Sequence, residues 1–364
     1  MKITGHRTQI LRIPEDDPLA DSPEEEGRLR PIVILSLATD AGIEGIGLTF
    51  YGGALTGALA RAVGELAALI EGADPLRIEA IHQKLRAAAG DQCGPAGLFT
   101  LALSAIDIAL WDIKGKALGQ PIWRLLGGHR DRVATYASGS LRRGLSDAQA
   151  ARAAGVLVKK GFTEMKTQMA LPGTPAPAEE VRRVRVVRDA IGPHIKLMCD
   201  INQRWRPEQA IEIGRRVEEI GLSWLEDVTT ADDYQGLARV NAALSTPIAG
   251  GEYVWGIAPF RQMIEARSVD IVMIDLVRVG GVTQWLKVAG MAEAFNLPVV
   301  SHVIPEFHCQ LIGAVPNGLT VEYMPWMLKL FHETPAIEKG QLVLPEKPGF
   351  GLAWDPKAIA RYAA

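Results

Sequence analysis

The chain has few cysteines: Cys93, Cys199 and Cys309 in 364 residues, odd in number and unclustered. That argues against a disulfide framework or a zinc site and suits a reducing compartment. No apolar run approaches the roughly 20 residues that cross a bilayer. The opening MKITGHRTQILRIPEDDP lacks a basic stretch followed by a long apolar one, so no secretory signal is visible. A cytoplasmic protein without a membrane partner is the expectation. Neither sign of charge dominates: 39 Lys and Arg against 42 Asp and Glu leave a net −3, with no basic stripe. Nucleic acid is therefore not an expected partner. No glycine-rich phosphate turn follows the early strand-like runs, which counts against an open doubly wound sheet.

What is present is an ordinary globular balance, 48% apolar to 22% charged, in a chain long enough for one large core or two modest ones. ITGHRTQILRI and RPIVILSLATDAGIEGIG carry β-branched alternation and a turn at Asp40-Ala41-Gly42; they read as strands. Between them PEDDPLADSPEEEG is rich in proline and acid and reads as a surface loop;. Residues 54–90 and 95–118 read as helices rich in Ala and Leu. From Val133 onward, short apolar runs alternate with amphipathic helices. The runs are VATYAS, EMKTQ, IKLMCD, LSWLED, PIAGGE, DIVMID, PVVSH and LTVEY. Eight such alternations over about 200 residues are what a (β/α)8 barrel requires. The expected class is α/β: a TIM-type (β/α)8 barrel preceded by an α+β block.

In such barrels chemistry sits at the carboxyl ends of the strands. The third and fifth runs end in Asp200 and Glu252, and the fourth carries Glu226 at the position before its last, the three spaced 26 and 26 residues apart. Three carboxylates on adjacent strand ends repel one another, and burial adds to the cost. A divalent cation resolves this, and an all-oxygen donor set favours Mg²⁺, with Mn²⁺ the alternative. The sixth run ends in Asp275 and the seventh in His302. As neighbours, the carboxylate accepts one imidazole N–H, fixes the tautomer and makes the other nitrogen a better base. The eighth run supplies Glu322, a candidate acid whose pKa rises if it is buried beside the other carboxylates. In EMKTQ, Lys166 and Gln168 stand two apart and so face the same side;. Ser138, Ser140, Arg142, Asn202 and Arg204 are further strand-end candidates for contacting substrate.

Together with SAIDIALWDIKGKALGQPIWRLLGG (104–128), the motifs CDINQRW, WLED, GGE, IDLVRVGGVT and VVSH occur in an order and spacing that resembles the enolase superfamily, specifically its mandelate racemase/muconate lactonizing enzyme-like branch. The resemblance implies an α+β capping domain over residues 1–125, with lid loops at about 14–30 and 49–57. It implies a barrel over 126–340 and a segment, 341–364, that returns to the cap. It implies Mg²⁺ on Asp200, Glu226 and Glu252, a general-base dyad of Asp275 and His302, and Glu322 hydrogen-bonded to the substrate carboxylate. Lys166 and Gln168 then match a Lys-x-Lys motif, whose second lysine is a base on one face. A small-molecule carboxylate partner and a homo-oligomer, dimer or octamer, also follow from the resemblance.

Two departures shape the expected reaction. EDVTT follows the fourth strand where the family often has Glu-Glu-Pro, and Gln168 replaces a lysine. Glutamine donates and accepts hydrogen bonds but takes no proton at neutral pH. Racemisation works best with bases on both faces; elimination needs one. The expectation is therefore dehydration of an acid sugar, an aldonate or aldarate, to a 2-keto-3-deoxy acid. Racemisation or epimerisation comes second and cycloisomerisation third; a non-catalytic acid-binding barrel is the alternative from another class.

Overall fold

The computed structural model describes residues 1–20, 28–173 and 175–364. Residues 21–27, the second half of the acidic stretch PEDDPLADSPEEEG expected in the first lid loop, lie outside the described residues. The chain begins with an antiparallel sheet of β1 (Ile3–Pro14), β2 (Leu29–Thr39) and β3 (Glu44–Thr49) in that order. Three helices cover it: α1 (Thr56–Leu69), α2 (Ile78–Leu85) and α3 (Gly97–Ala117). The single helical stretch read over 54–90 is thus two helices. They are separated at Asp74-Pro75, where proline removes a backbone donor;. Helix α3 is buried on nearly every side, because it lies between the sheet and the second unit;. Its approach to β3 is so close that a Cβ at Gly47 would sit 1.9 Å from the Ala105 carbonyl oxygen.

The second unit is a barrel of eight parallel strands. In order they are β4 (Arg132–Leu141), β5 (Glu164–Gln168), β6 (Lys196–Asp200), β7 (Trp224–Glu226), β8 (Ile248–Gly250), β9 (Ile271–Asp275), β10 (Val299–His302) and β11 (Val321–Tyr323). Neighbours in sequence are neighbours in space from β4 to β10, and β11 pairs with β4. The remaining seam closes through a parallel bridge from Val299 to Gly318 and through the Leu319 N–H, which donates to the Val299 carbonyl at 2.9 Å. Helices follow the first seven strands, from α4 (Asp147–Lys159) to α10 (Pro305–Ala314). After β11, among the described residues, no barrel helix follows. The chain instead makes a hairpin, β12 (Ile337–Glu338) and β13 (Gln341–Val343), the second strand pairing with β4. It ends in α11 (Pro356–Tyr362), which packs against β1. Pro325 and Pro335 stand in the stretch where an eighth helix would have formed;. No helix among the described residues is long and apolar enough to cross a membrane.

Inside the barrel, the period of two stacks the site on an apolar floor. Tyr136, Met198, Trp224, Met273 and Val300 form a buried cluster. Each precedes by two residues a polar side chain at the rim: Ser138, Asp200, Glu226, Asp275 and His302;. Register places Gln168 level with Asp200, but Lys166 level with Met198, one layer deeper.

The two units are joined through Asp107 of α3. It accepts from the Thr283 N–H at 3.0 Å and hydroxyl at 2.6 Å, and pairs with His82 at 2.6 Å. Gly281 holds a φ of +99°, and a Cβ there would lie 2.4 Å from Asp107 Oδ2. Gly281→Ala is expected to cost about 2–4 kcal/mol, read as a lower urea midpoint; an unchanged midpoint would mean that the joint tolerates the side chain.

Candidate active site

A cavity of about 330 Å³ opens at the carboxyl ends of the barrel strands, beneath the cap. It is lined by Lys166, Gln168, Asp200, Asn202, Glu252, His302 and Glu322, among others. Five separate strand ends therefore bring most of the candidate residues to one place.

His302 and Asp275 are cross-strand partners, and His302 Nδ1 lies 2.6 Å from Asp275 Oδ2. The other Asp275 oxygen accepts from the Val277 and Arg278 N–H groups at 2.9 and 2.7 Å. His302 Nε2 stands 3.1 Å from Glu252 Oε2. Burial alone would lower the His302 pKa. The charge of Glu252, the hydrogen bond to Asp275 and the charge of Glu322 outweigh it and carry the pKa to about 9. The ring is thus a cation held between acids; a cation on Glu252 would remove the largest of these contributions.

Lys166 is buried and contacts Glu226 Oε1 directly and Glu322 Oε1 at 2.8 Å. Burial disfavours its charge, but the two carboxylates outweigh burial and raise its pKa well above the usual lysine value. Glu322 departs from the expectation that burial among acids would raise its pKa. Burial does push upward, but Lys166 and His302 win, and the pKa falls to about 2. Its neighbours are cations and donors: the Ser138 hydroxyl at 2.7 Å and the Val303 N–H at 2.7 Å complete its shell. Glu322 is therefore an ionised acceptor here.

Four acids crowd the opposite side of the rim. One oxygen each of Glu226, Asp227 and Glu252 lie within 4.8 Å of one another. Asp200, level with Glu226 on the adjacent strand, accepts from the Asn202 N–H and side-chain amide, both at 2.8 Å. Burial, opposed by Lys166 and reinforced by Glu252, raises the Asp200 pKa to about 6. Burial and then Glu252, Glu226 and Asp200 lift that of Asp227 well above the carboxylate range. Asp227 Oδ2 is buried with no hydrogen-bond partner. Mutually repelling buried oxygens, one of them unpartnered, with no thiolate among them, fit a hard divalent cation such as Mg²⁺. Asp227 was not expected from sequence. Strand alternation sends the residue after Glu226 outward, but a left-handed φ of 44° places it in the acid cluster.

Gln168 Oε1 accepts from the Arg143 backbone N–H at 3.2 Å and from Arg143 Nε at 3.4 Å. The Arg143 guanidinium also contacts Asn202 Oδ1. Arg143 was not singled out by sequence, yet it fixes the orientation of both amides. Two substrate-contact expectations fail. Ser140 does not line the cavity; its hydroxyl donates to Asp17 at 2.7 Å. Register shifts between Ala137 and Leu141, with Gly139 at φ +86°, so Ser138 and Ser140 lose their common face. Arg204 is exposed and off the cavity, because left-handed residues Asn202 and Gln203 turn the chain outward. Tyr51, from the second expected lid loop, was also missed. Its hydroxyl donates to Asp275 Oδ2 at 3.0 Å, and its ring carries the Arg278 guanidinium at 3.8 Å.

Residues 25–127 match the N-terminal domain profile of the mandelate racemase/muconate lactonizing enzyme family. Residues 148–358 match the profile described as enolase C-terminal domain-like. The chain belongs to the enolase superfamily, in its mandelate racemase/muconate lactonizing enzyme group. L-talarate/galactarate dehydratase of Salmonella typhimurium is 33% identical over 98% of this chain and 91% of its own length. 3,6-anhydro-alpha-L-galactonate cycloisomerase of Streptomyces coelicolor is 31% identical over 98% of each chain. Among solved structures, L-talarate dehydratase from a Polaromonas species, complexed with Mg and L-glucarate, superimposes with a TM-score of 0.90. It is 31% identical, over 100% of this chain and 97% of that one.

Without its cation, Lys166→Met leaves Glu226 and Glu322 buried and uncompensated. A loss of about 3–5 kcal/mol at pH 7 is expected, followed by urea unfolding in the absence of divalent ions. A variant as stable as the parent would show that the acids do not depend on that charge.

Proposed function

We propose that this protein dehydrates an acid sugar, an aldonate or aldarate, to a 2-keto-3-deoxy acid in a Mg²⁺-dependent reaction. The observation that carries the reading is the asymmetry of the site. A histidine–aspartate dyad stands on one face, and an amide held by an arginine stands where a second base would be needed. The dehydratases among its relatives support the same class.

Asp200, Glu226 and Glu252 would hold the ion, with Asp227 as a fourth acid beside them. When bound, it supplies electrophilic stabilisation of negative charge on the substrate carboxylate. The rest of the chemistry belongs to side chains. Asp275 holds the Nδ1 proton of His302, so that Nε2 faces the α-proton. As that proton leaves, charge concentrates on the carboxylate oxygens, and Lys166 supplies a fixed positive charge near them. Glu322, kept ionised by Lys166 and held by Ser138 and the Val303 N–H, fixes the lysine in place. His302, now protonated, returns its proton to the departing 3-hydroxyl on the same face and water leaves. The resulting enol tautomerises to the keto acid. Gln168 and Asn202, oriented by Arg143, offer hydrogen bonds and no base. Among the described residues on that face, none supplies the second proton donor that racemisation needs. Assembly as a dimer or octamer belongs to the same proposal and is read by light scattering.

His302→Asn keeps shape and loses basicity, so keto-acid formation is expected to fall by at least about 1,000-fold, while Gln168→Ala retains measurable turnover. A His302→Asn enzyme with near-parental rates would displace the base. Saturating Mg²⁺ is expected to raise the melting temperature by about 3–5 °C. Asp200→Asn and Glu252→Gln should each abolish that shift; persistence of the shift in both would move the ion elsewhere.

A further inference from the structure

Tyr51 of the cap does not line the cavity, yet it touches both members of the Asp275–His302 dyad. We propose that Tyr51 is a positioning residue for the general base: it holds Asp275, and through it the His302 ring, so that the base is aligned only while the cap loop is seated on the barrel. This rests on the reading of His302 as the base and deepens it.

An ionised carboxylate offers about four acceptor positions, two on each oxygen. On Asp275, Oδ1 takes the Val277 and Arg278 N–H groups, and Oδ2 takes His302 Nδ1 at 2.6 Å and the Tyr51 hydroxyl at 3.0 Å. Three of these four partners belong to the barrel; the fourth comes from the cap. The Tyr51 oxygen also lies 3.3 Å from His302 Nδ1, and the two rings are within 13° of parallel. Burial and the Asp275 charge raise the Tyr51 pKa well above the ordinary tyrosine value, against the pull of Arg278. The hydroxyl therefore keeps the proton it donates.

The ring acts on the other oxygen. It carries the Arg278 guanidinium at 3.8 Å, and the same guanidinium lies 4.7 Å over Tyr253 and donates to the Glu252 carbonyl at 2.9 Å;. Arg278 is also the residue whose backbone N–H holds Asp275 Oδ1. Tyr51 thus bears on both oxygens, on one directly and on the other through Arg278.

The backbone points the same way. Tyr51 holds a φ of +69°, a left-handed conformation that a bulky residue rarely takes;. Such strain persists only where the surroundings enforce it, and it gathers at functional positions. Here the loop enforces it. Phe50 is buried, with its ring centroid 4.3 Å from that of Tyr51. The Leu55 N–H donates to the Gly52 carbonyl and the Thr56 hydroxyl to the Gly53 carbonyl, each at 2.7 Å, closing the turn that follows. Lifting this loop from the barrel would withdraw hydroxyl and ring together. Asp275 would lose one partner, and the His302 ring would be free to turn.

The test measures kcat and KM separately, with Mg²⁺, on the acid sugar that the parent turns over best. Tyr51→Phe keeps the ring and loses the hydroxyl. Its kcat is expected to fall about 10- to 100-fold, with KM and the Mg²⁺-induced melting shift retained. Tyr51→Leu also drops the Arg278 stack and should lose more in kcat. A parental kcat in Tyr51→Phe, or a loss confined to KM or to ion binding, overturns the assignment. If no acid sugar yields a keto acid, the dehydratase reading fails, and proton NMR of the substrate-free protein in water decides the inference separately. The proton held between His302 Nδ1 and Asp275 should give a downfield resonance, identified by its loss in His302→Asn. Faster exchange of that proton with water in Tyr51→Phe supports the positioning role. A parent without the resonance, or an exchange rate that Tyr51→Phe leaves unchanged, overturns it.

Discussion

The rest of the site depends on one buried cation, Lys166, among carboxylates that cannot be neutralised by solvent. It sits one layer below the rim, level with Met198, and touches Glu226 and Glu322 at once. Its charge holds Glu322 ionised and opposes the rise in the Asp200 and Glu226 pKa values that burial imposes. One ammonium cannot satisfy four acids. The excess negative charge suits the rim to a cation rather than to a closed ion-pair network; Asp200, Glu226 and Glu252 would hold a divalent ion there, and Lys166 would add a fixed positive charge.

The same arrangement explains why the two members of Lys-x-Gln play different parts. They share a face, as the period of two requires, but they occupy successive layers. The deeper position is enclosed by acids and retains a lysine. The upper one, level with Asp200, is bound to Arg143 and Asn202. A lysine at 168 would stand against the Arg143 guanidinium, and like charges disfavour each other at that range. The amide suits that neighbour, and its consequence is a face without a base.

How far the sequence could be read follows from which geometric rule placed each residue. Strand alternation and strand-end position are local, so the gathering of Asp200, Glu226, Glu252, Asp275, His302, Lys166 and Gln168 at one rim was legible. Residues placed by local exceptions were not. Asp227 enters through a left-handed backbone, Ser140 leaves the cavity because of a bulge at Gly139, and Arg204 is carried outward by two successive left-handed residues. The ionised state of Glu322 depended on cations from β5 and β10, which no spacing along the chain reveals. From the cap, Tyr51 reaches Asp275 and Arg30 reaches the cavity wall beside Trp326, each hundreds of residues from its partner. The missing eighth barrel helix was obscured by counting strands, whereas Pro325 and Pro335 carried the signal.

The central claim is that proton abstraction occurs on one face only. It is tested most directly by proton NMR in D₂O, with Mg²⁺, on pairs of acid sugars that differ only in configuration at C2. The account predicts that the α-proton signal is lost, by exchange or turnover, from one epimer of each pair and persists in the other. Comparable loss from both epimers would contradict it and require a second base opposite His302.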